Sequence, residues 1–309
     1  MAQTHYIINP ASNGGAGLRV WKAFQTAWAE PIDSSAITFT EHPGQAREIA
    51  ANIGTGGILV VAGGDGTVGE VISGIMDRPE PRPRLGIIPC GTGNDIARCA
   101  HIQSLEASIK ALQGGESQAV DLIRIERGDG KQTNVRHAFL FANAGFSSIP
   151  MMKPWMKRFL GATGAYYLAT LLQVILFRPR FMEIRIDEVD YSGPTFLLIA
   201  SNAEYAAGGS MRIAPGARID DGELNISIIQ PLPLLKLAAK LFASMADGSY
   251  INEPEVSYLT GQRIEIRCTP SVVLDLDGEL FGTTPATFSV APLALDLIHA
   301  PAPKLDAAE

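Results

Sequence analysis

The chain has 309 residues and a formal net charge of −7 at pH 7, from 25 lysine and arginine residues against 32 aspartate and glutamate residues. A chain of this length suggests two domains, and the acidic balance argues against a nucleic-acid-binding protein, which needs concentrated positive charge. Apolar residues make up 46% of the chain and charged residues 18%, which excludes disorder and leaves some apolar surface for a ligand or a membrane.

The cysteines, the apolar runs and the first residues together favour a cytoplasmic location. We expect no secretory signal, because the first ten residues run directly into a strand pattern. Cys90, Cys99 and Cys268 form neither a disulfide framework nor a zinc pattern, and the 5 histidines do not cluster. The longest apolar-rich stretch, 165–177, is shorter than the roughly 20 residues that span a bilayer.

The first 125 residues alternate strand-like and helix-like patterns. Short apolar runs that end in turn residues predict strands at 5–10, 36–41, 58–64 and 85–91. Helical spacing between these runs predicts helices at 18–30, 43–53, 67–76, 94–100 and 104–113. Because strands that alternate with helices form βαβ units, the pattern predicts an N-terminal α/β domain with a parallel sheet.

After about residue 120 the predicted strands follow one another directly, which favours a C-terminal antiparallel β-rich domain. The predicted strands lie at 119–126, 136–144, 182–189, 195–203, 223–230, 262–268 and 272–278. Two helical interruptions are predicted at 155–177 and 232–246, and the domain boundary near 120–130. The last apolar segment, 286–299, fits either domain by its pattern alone.

The most informative segment is AGGDGTVGE at 62–70, which follows a buried strand and opens a helix. This geometry directs backbone N–H groups and the positive end of a helix at an anion. The glycines also satisfy the dinucleotide-binding spacing, but the next strand ends in Cys-Gly-Thr instead of an acid. Asp65 would repel a phosphate unless a cation lies between them. An ordinary tight turn is the alternative.

Two further glycine-rich loops, 9–17 and 90–95, end strands of the same predicted sheet. In an open parallel sheet, ligands bind outside the carboxyl ends of the strands. A plain turn at the first loop and a simple helix cap at Asn94 and Asp95 remain alternatives. The sequence contains neither a P-loop motif nor the catalytic-loop set of protein kinases.

Four motifs in this order resemble the diacylglycerol kinase catalytic family: NPAS at 9–12, GGDGT at 63–67, GTGND at 91–95 and DGE at 277–279. That family includes soluble bacterial lipid kinases and the sphingosine and ceramide kinases. The resemblance covers nearly the whole chain, and GTGND separates this group from the NAD kinases, which share GGDGT. It implies an ATP-binding domain over 1–125 with a returning segment at 290–309, and a lipid-substrate domain over 126–289.

The resemblance also implies which residues bind nucleotide and which catalyse transfer. The implied nucleotide-binding residues are Asn9, Pro10, Ala11, Ser12, Asn13, Thr40, Gly63, Gly64, Asp65, Gly66, Thr67, Val68, Gly69 and Thr92. Asp65 is expected near a catalytic Mg²⁺, and Glu279 matches the family's general base, although LDLDGEL by pattern alone reads as a hairpin turn. Asp95 and Asp121 resemble acids of a supporting network; a solvated strand end is the alternative for Asp121.

In the second domain, 201–224 resembles a stretch that holds a structural Mg²⁺ in some members of the family. The expected ligands are the Asp221 side chain and the carbonyls of Arg218 and Glu223, since oxygen ligands suit Mg²⁺. A metal-free hairpin turn is the alternative. The sequence departs from the family at Gly69, where an asparagine is usual, at Ser73, and at 143–150, which lacks an acid.

Segment 151–181 combines an apolar run with basic residues at both ends, which suits contact with an anionic membrane surface. A buried helix with basic ends is the alternative. The expected function is transfer of the γ-phosphate of ATP to the hydroxyl of diacylglycerol, phosphatidylglycerol or a sphingoid lipid, with a homodimer left open. The alternatives are a NAD kinase-like enzyme with a soluble substrate and a catalytically silent nucleotide-binding regulator.

Overall fold

The computed structural model describes residues 4–54, 56–128, 133–147, 155–156, 159–161, 168, 172, 176–233 and 242–301. The chain divides into two compact units. Unit 1 consists of Met1–Leu122, Ala207–Gly209 and Pro292–Glu309, and unit 2 consists of Ile123–Ala206 and Ser210–Ala291. Among the described residues, no helix combines the length and the apolar character needed to cross a bilayer.

Unit 1 contains a parallel sheet. Its strands are β1 (Thr4–Ile8), β2 (Ile37–Phe39), β3 (Ile58–Gly63), β4 (Arg84–Pro89) and the end of β19 (Ala286–Ile298). They run in the order β19–β4–β3–β1–β2, and all these neighbours pair in parallel. The near-continuous Ile, Leu and Val of β3 and β4 are buried, as expected for a parallel sheet covered on both faces.

Five helices follow the strands β1 to β4 along the chain. They are α1 (Ser12–Ala27), α2 (Gln45–Asn52), α3 (Asp65–Met76), α4 (Asp95–Cys99) and α5 (Leu105–Gly114). Helix α1 packs its aromatic face on the sheet, with the rings of Trp21 and Phe24 stacked at 5.5 Å and both side chains buried. The predicted alternation of strands and helices is confirmed, and with it the α/β fold of the N-terminal part.

The start of α1 differs from the prediction of a loop at 9–17. The helix begins at Ser12, but Asn13, Gly14 and Gly15 have positive φ angles of 49°, 64° and 97°. Glycine adopts this left-handed conformation without steric cost, whereas most residues do not. The glycine-rich segment is therefore an interrupted first turn of the helix instead of a free loop.

Unit 2 is built almost entirely from antiparallel strands, as predicted. Its strands are β5 (Ser117–Gly128), β6 (Thr133–Ala138), β7 (Phe141–Gly145), β8 (Arg180–Ile186), β9 (Val189–Asp190), β10 (Gly193–Thr195), β11 (Leu197–Ser201), β12 (Tyr205–Ala206), β13 (Met211–Arg212), β14 (Leu224–Ile229), β15 (Val256–Gly261), β16 (Arg263–Cys268), β17 (Val273–Leu276), β18 (Glu279–Thr283) and the first half of β19. Six of them form one sheet in the order β15–β14–β11–β7–β17–β18. One face of this sheet packs into an apolar core that includes Leu198, Ile226 and Leu274.

Two predicted elements of unit 2 need correction. The strand expected at 136–144 is two strands, β6 and β7, because the chain bends at Phe139 and Leu140. The strand expected at 182–189 ends at Ile186, where Asp187 begins a turn with a φ of 50°. The helix expected at 155–177 lies mostly outside the described residues. Of the helix expected at 232–246, residues 234–241 are not described, and the helical part of the rest is a single turn, α6 (Phe242–Ser244).

Two strands belong to both units. The chain passes from unit 1 to unit 2 within β5, between Leu122 and Ile123, and returns within β19, between Ala291 and Pro292. The apolar segment that fits either domain by pattern therefore contributes to each. Its last residues pair with β4 in unit 1, where Leu297 lies opposite Leu85.

Candidate active site

Three glycine-rich segments meet at the carboxyl ends of β1, β3 and β4 in unit 1. The Asn9 side-chain amide donates to Thr67 Oγ1 at 2.8 Å, which joins the first segment to the second. The Gly64 backbone N–H donates to the Ser12 hydroxyl at 3.3 Å. In the third segment, the Thr92 hydroxyl donates to Asn13 Oδ1 at 3.4 Å. The three segments that the sequence singles out thus form one cluster.

Glycine is required where the second and third segments touch. A Cβ atom on Gly64 would lie 3.0 Å from the Cα of Gly91, and one on Gly91 would lie 2.7 Å from the Cα of Gly64. A Cβ atom on Gly63 would lie 2.6 Å from the Cβ of Thr67. These glycines let two backbones approach each other directly, which leaves their N–H groups close to any ligand at the strand ends.

Asp65 is the first residue of α3 and reaches across to the third segment. Its Oδ1 accepts a hydrogen bond from the Ile96 backbone N–H at 3.0 Å. Burial raises the pKa of Asp65, and the negative charge of Asp95 raises it further, against backbone hydrogen bonds that lower it. A Cβ atom on Gly93 would lie 3.0 Å from Asp65 Oδ2 and 3.4 Å from Asp95 Oδ2, so two carboxylates flank the same glycine.

Asp95 is 4% exposed and begins α4 behind Asn94. Its Oδ2 accepts from the Gly208 backbone N–H at 2.8 Å, and Arg98 donates to the Gly208 carbonyl at 3.0 Å. Its Oδ1 has no hydrogen bond among the described residues and lies 3.7 Å from Arg98 Nε. The Arg98 guanidinium therefore faces Oδ1, and Oδ2 is the oxygen that lies on the side of Asp65.

Asp121, the third acid of the expected network, is fully buried. Its Oδ1 accepts from the Leu293 backbone N–H at 2.7 Å. The interpretation as a solvated strand-end residue is therefore wrong. Asp121 holds the returning part of the chain within unit 1.

The Asp-Gly-Glu segment of unit 2 forms the turn between β17 and β18, as its pattern predicts. Asp277, at a φ of 48°, lies in the turn. Its carboxylate accepts from the backbone N–H groups of Phe139, Leu140 and Phe141 at 2.8 to 2.9 Å. Three hydrogen bonds to one carboxylate fix the turn against the start of β7.

Glu279 is the first residue of β18, and its side chain is 52% exposed. Arg136 of β6 lies beside it, with Nη1 at 3.7 Å from Glu279 Oε2. The Arg136 guanidinium also lies over the ring of Phe281, at 5.5 Å from its centroid. Glu279 is thus a solvent-accessible carboxylate with a basic neighbour, which is an arrangement that a proton acceptor can use.

Comparison with known proteins agrees with this arrangement of motifs. Residues 3–125 match the model of the diacylglycerol kinase catalytic domain, and residues 147–299 match that of the YegS C-terminal NAD kinase beta sandwich-like domain. The first part of the chain is thus similar to the diacylglycerol kinase catalytic domain, and the second part to this beta sandwich-like domain. The match of two successive domain models agrees with an α/β part followed by an antiparallel β part.

Relatives in staphylococci are named diacylglycerol kinases. A diacylglycerol kinase of Staphylococcus epidermidis is 28% identical over 232 residues, which are 75% of this chain and 70% of the relative. One from Staphylococcus haemolyticus is also 28% identical over 232 residues, which are 75% of this chain and 67% of that protein.

The solved structures have lower sequence identity to this chain, so their similarity shows only that the fold is shared. A structure of a diacylglycerol kinase from Bacillus anthracis str. Sterne has a TM-score of 0.69 and 23% identity, over 97% of this chain and 98% of that one. Yeast NADH kinase complexed with NADH has a TM-score of 0.53 and 14% identity, over 97% of this chain and 83% of that one.

The remaining nucleotide-loop residues differ in how their side chains are placed. Thr40 follows β2, and its backbone N–H donates to the Ile8 carbonyl at 2.8 Å. Val68 is buried, so only its backbone is available to a ligand. A Cβ atom on Gly69 would meet no atom within 4 Å, so the asparagine that is usual in the family would have room here.

The second-domain metal site stays a prediction. Asp221 Oδ1 accepts from the Glu223 backbone N–H at 3.1 Å, which is a local turn, and Arg218 pairs with Asp220. The described part of the chain holds no group of three His, Cys, Asp or Glu side chains placed to bind a metal. The site would therefore depend on one carboxylate and two backbone carbonyls. Of segment 151–181, only isolated residues and its last six are described.

Sequence reasoning missed the burial of Asp275, which lies next to the Asp-Gly-Glu turn. It is 7% exposed, and its carboxylate accepts hydrogen bonds from the Ser147 hydroxyl and from the Gly278 backbone N–H, each at 3.0 Å. Burial raises its pKa to about 6, and the charge of Glu279 also raises it, although both hydrogen bonds lower it. The acid at position 275 is visible in LDLDGEL. However, apolar-polar alternation in a strand normally predicts that such acids face the solvent.

Proposed function

We propose that this chain is a lipid kinase that transfers the γ-phosphate of ATP to a lipid hydroxyl. The observation that carries the proposal is the meeting of three glycine-rich segments in unit 1, with carboxylate oxygens of Asp65 and Asp95 both beside Gly93. Backbone N–H groups and the N-terminus of a twelve-residue helix, α3, suit a phosphate chain. The match to the diacylglycerol kinase catalytic domain and the staphylococcal relatives support the reaction class.

The acidic pair suits a Mg²⁺ ion that accompanies the nucleotide. Asp65 and Asp95 would hold it, because the Oδ2 atoms of both acids lie beside Gly93. Mg²⁺ in phosphotransferases commonly takes one or two carboxylates, with phosphate oxygens and waters as its other ligands. When bound, the ion offsets negative charge on the phosphate oxygens.

The chain's own residues supply binding, orientation and a proton acceptor. In unit 1, Asn9, Ser12 and Thr92 fix the three segments against one another, which positions the nucleotide. In unit 2, Glu279 takes the proton of the attacking hydroxyl, since it is accessible and its turn is held by Asp277. Positioning and electrostatic stabilisation are expected to supply most of the acceleration.

The proposed acceptors share a hydroxyl next to an apolar body. Diacylglycerol is the first candidate because the relatives are named for it, and phosphatidylglycerol and sphingoid lipids are the others. Such acceptors imply transient contact with a membrane surface from the cytoplasm. A second candidate function is a NAD kinase-like reaction, because the fold is similar to that of yeast NADH kinase.

The test is transfer of radiolabelled γ-phosphate from Mg-ATP to these lipids in mixed micelles, with NAD as a soluble acceptor. The wild type is expected to label at least one lipid. Asp65→Asn and Glu279→Gln are expected to lower the rate by about 10²- to 10⁴-fold, because each removes a charge that the reaction uses. The lipid of this panel that becomes labelled is identified as the acceptor.

Matched controls separate loss of chemistry from loss of folding. Glu188→Gln removes a carboxylate that is 88% exposed in unit 2, and Glu106→Gln removes one that is 77% exposed in unit 1; both should keep wild-type rates. Labelled NAD with no labelled lipid would favour the NAD kinase-like reaction. ATP binding without any transfer would favour a silent regulator.

A further inference from the structure

The glycine tip is the loop Ala207–Gly209 between β12 and β13, and by its contacts it belongs to unit 1. Its three residues have left-handed backbones, with φ angles of 56°, 73° and 76°. Two consecutive glycines allow such a turn without steric cost. The tip lies against the third glycine-rich segment, since a Cβ atom on Gly208 would lie 3.5 Å from the Cα of Gly93.

Asp95, Arg98 and Gly208 form a closed set of contacts. The Gly208 backbone N–H donates to Asp95 Oδ2 at 2.8 Å, and the Gly208 carbonyl accepts from Arg98 Nη2 at 3.0 Å. Arg98 Nε completes the set at 3.7 Å from Asp95 Oδ1. One oxygen of the Asp95 carboxylate is therefore held by the tip and the other faces the guanidinium. A buried carboxylate that is directed at both oxygens has little freedom to rotate.

This set of contacts determines where Asp95 Oδ2 lies. A Cβ atom on Gly93 would lie 3.4 Å from Asp95 Oδ2 and 3.4 Å from the Gly208 nitrogen. The same Cβ atom would lie 3.0 Å from Asp65 Oδ2. The hydrogen bond from Gly208 therefore holds Asp95 Oδ2 on the side of Asp65. A carboxylate oxygen has two lone pairs, so Oδ2 keeps one for a cation after it accepts this hydrogen bond.

We propose that the glycine tip and Arg98 are positioning elements for Asp95: they hold its Oδ2 atom beside Asp65, where both carboxylates can bind one Mg²⁺ ion. The inference rests on the proposed role of Asp65 and Asp95 in holding the ion that accompanies the nucleotide. Arg98 and the tip act through Asp95 and do not themselves bind the ion. Hydrogen-bond partners of metal-binding carboxylates commonly act in this way, by fixing the orientation of the ligand.

A role of Arg98 as a simple counter-charge makes the opposite prediction. A guanidinium paired with Asp95 competes with a cation for the same carboxylate, so its removal would strengthen Mg²⁺ binding. If Arg98 positions Asp95, its removal weakens Mg²⁺ binding, because the carboxylate can then rotate away from Asp65. Lysine at position 98 keeps the charge but lacks the rigid fork that makes both contacts. The direction of the change therefore separates the two roles.

Gly209 offers a way to displace the Arg98 guanidinium without changing its charge. A Cβ atom on Gly209 would lie 2.9 Å from Arg98 Cζ and 3.0 Å from Arg98 Nε. In Gly209→Ala the guanidinium must move, because the end of a long side chain gives way more easily than the backbone. The matched control is Gly115→Ala, since Gly115 has a φ of 65° and its Cβ atom would meet nothing within 4 Å. Both variants strain the backbone, but only the first displaces Arg98.

The experiment measures binding of ADP to the full-length chain by isothermal titration calorimetry, once with Mg²⁺ and once with excess EDTA. The affinity with Mg²⁺ divided by the affinity in EDTA is the magnesium ratio, which reports the ion separately from the nucleotide loops. In Arg98→Ala, Arg98→Lys and Gly209→Ala we expect this ratio to fall about tenfold, with the affinity in EDTA unchanged. Gly115→Ala should keep both affinities. Thermal unfolding followed by circular dichroism establishes that each variant is folded.

Each outcome supports or overturns the inference. A lower magnesium ratio in all three variants, with a control like the wild type, supports it. An unchanged or higher ratio in Arg98→Ala and Gly209→Ala overturns it, and a higher ratio identifies Arg98 as a counter-charge. An equal fall in Gly115→Ala also overturns it, because backbone strain would then explain the effect.

Failure of the inference can be distinguished from failure of the proposed function. If ADP binding to the wild type is independent of Mg²⁺, the proposed role of Asp65 and Asp95 falls, and the inference falls with it. If Mg²⁺ strengthens ADP binding equally in the wild type and the variants, only the inference falls. The measurement needs no acceptor, so it decides even if no lipid is labelled.

Discussion

Asp275 and Asp277 are two positions apart on one hairpin, yet their carboxylates meet opposite environments. Asp277 accepts three backbone N–H groups, which replace the water that a charged carboxylate loses on burial. Asp275 accepts one backbone N–H and one hydroxyl, and burial outweighs both in its pKa. Asp277 therefore contributes to stability, and Asp275 is expected to reduce stability whenever it is charged.

Replacing Asp277 by alanine should destabilise unit 2. The change leaves the backbone N–H groups of Phe139, Leu140 and Phe141 without their acceptor. We expect the free energy of unfolding to fall by about 2–4 kcal/mol, measured by urea denaturation. Glu188→Ala, which breaks only an exposed ion pair with Arg185, should change it by less than about 0.5 kcal/mol. A loss no larger than that of the control would contradict this account of Asp277.

Replacing Asp275 by asparagine should stabilise the chain, and more so at high pH. The pKa of Asp275 is raised from 3.8 to about 6 on folding, so the folded state holds a proton that the unfolded state releases between these values. The penalty is absent below the unfolded pKa and complete above pH 6. Asp275→Asn should therefore raise the free energy of unfolding by about 2–3 kcal/mol at pH 8, and by about 1 kcal/mol or less near pH 4.5.

Urea unfolding of wild type and variant at the two pH values measures this difference. An equal effect at both pH values would show that the asparagine acts through shape instead of charge. Stabilisation accompanied by lower activity would be typical of a residue kept for function at the expense of stability.

At the scale of single residues, the sequence predicts the motif positions but not their environments. Asp65, Asp95 and Glu279 follow from their motifs. Asp275 does not, because a strand with alternating apolar and acidic residues normally exposes its acids, and only the packing of β7 against β17 buries this one. The burial of Asp121 depends on Leu293, 172 residues further along the chain, and no local pattern contains that contact.

At the scale of elements, two of the three glycines of α3 have opposite surroundings. A Cβ atom on Gly74 would lie 2.3 Å from the Arg47 carbonyl oxygen and 2.7 Å from the Ala50 Cβ of helix α2. A Cβ atom on Gly69 would meet nothing within 4 Å. Helices α2 and α3 therefore touch through backbone at Gly74, whereas the helix at Gly69 is open.

Alanine at these two positions should change stability in opposite directions. Gly69→Ala removes the entropic disadvantage of glycine inside a helix and should stabilise the chain by about 0.5–1 kcal/mol. Gly74→Ala gains the same amount but forces α2 and α3 apart, and we expect a net loss of about 1–3 kcal/mol. Thermal unfolding of the two variants measures both; stabilisation by Gly74→Ala would contradict the close packing described for these helices.

The order and type of the elements in unit 1 are predictable from sequence, because their apolar periodicity is long and regular. The beginning of α1 is not, since Gly14 and Gly15 signal a loop although the chain resumes the helix beyond them. The division of 136–144 into β6 and β7 is likewise not predictable from the sequence. The bend there is held by Asp277 of a distant turn, which accepts from the backbone on both sides of it.

At the scale of the whole molecule, unit 1 is made from separated parts of the chain. Its sheet takes the end of β19 as a neighbour of β4, and Asp121 accepts from Leu293. A fragment of residues 1–122 lacks both interactions. We expect it to show no cooperative unfolding in urea, in contrast to the full chain.

Joining residues 1–122 to 292–309 through a flexible linker should restore a cooperative transition. The matched control joins 1–122 to the same linker with the 292–309 sequence scrambled. A sharp transition in the fragment alone would show that the returning segment is dispensable for the folding of unit 1.

The division of β19 between the units has a consequence for synthesis. A ribosome makes residues 1–122 first and residues 292–298 after nearly all of unit 2. During that interval β4 has no neighbour on one side, and a buried parallel strand offers its unpaired backbone groups to any other chain. The nascent protein is most prone to aggregation while unit 2 is being translated. This risk ends only when β19 emerges and pairs with β4.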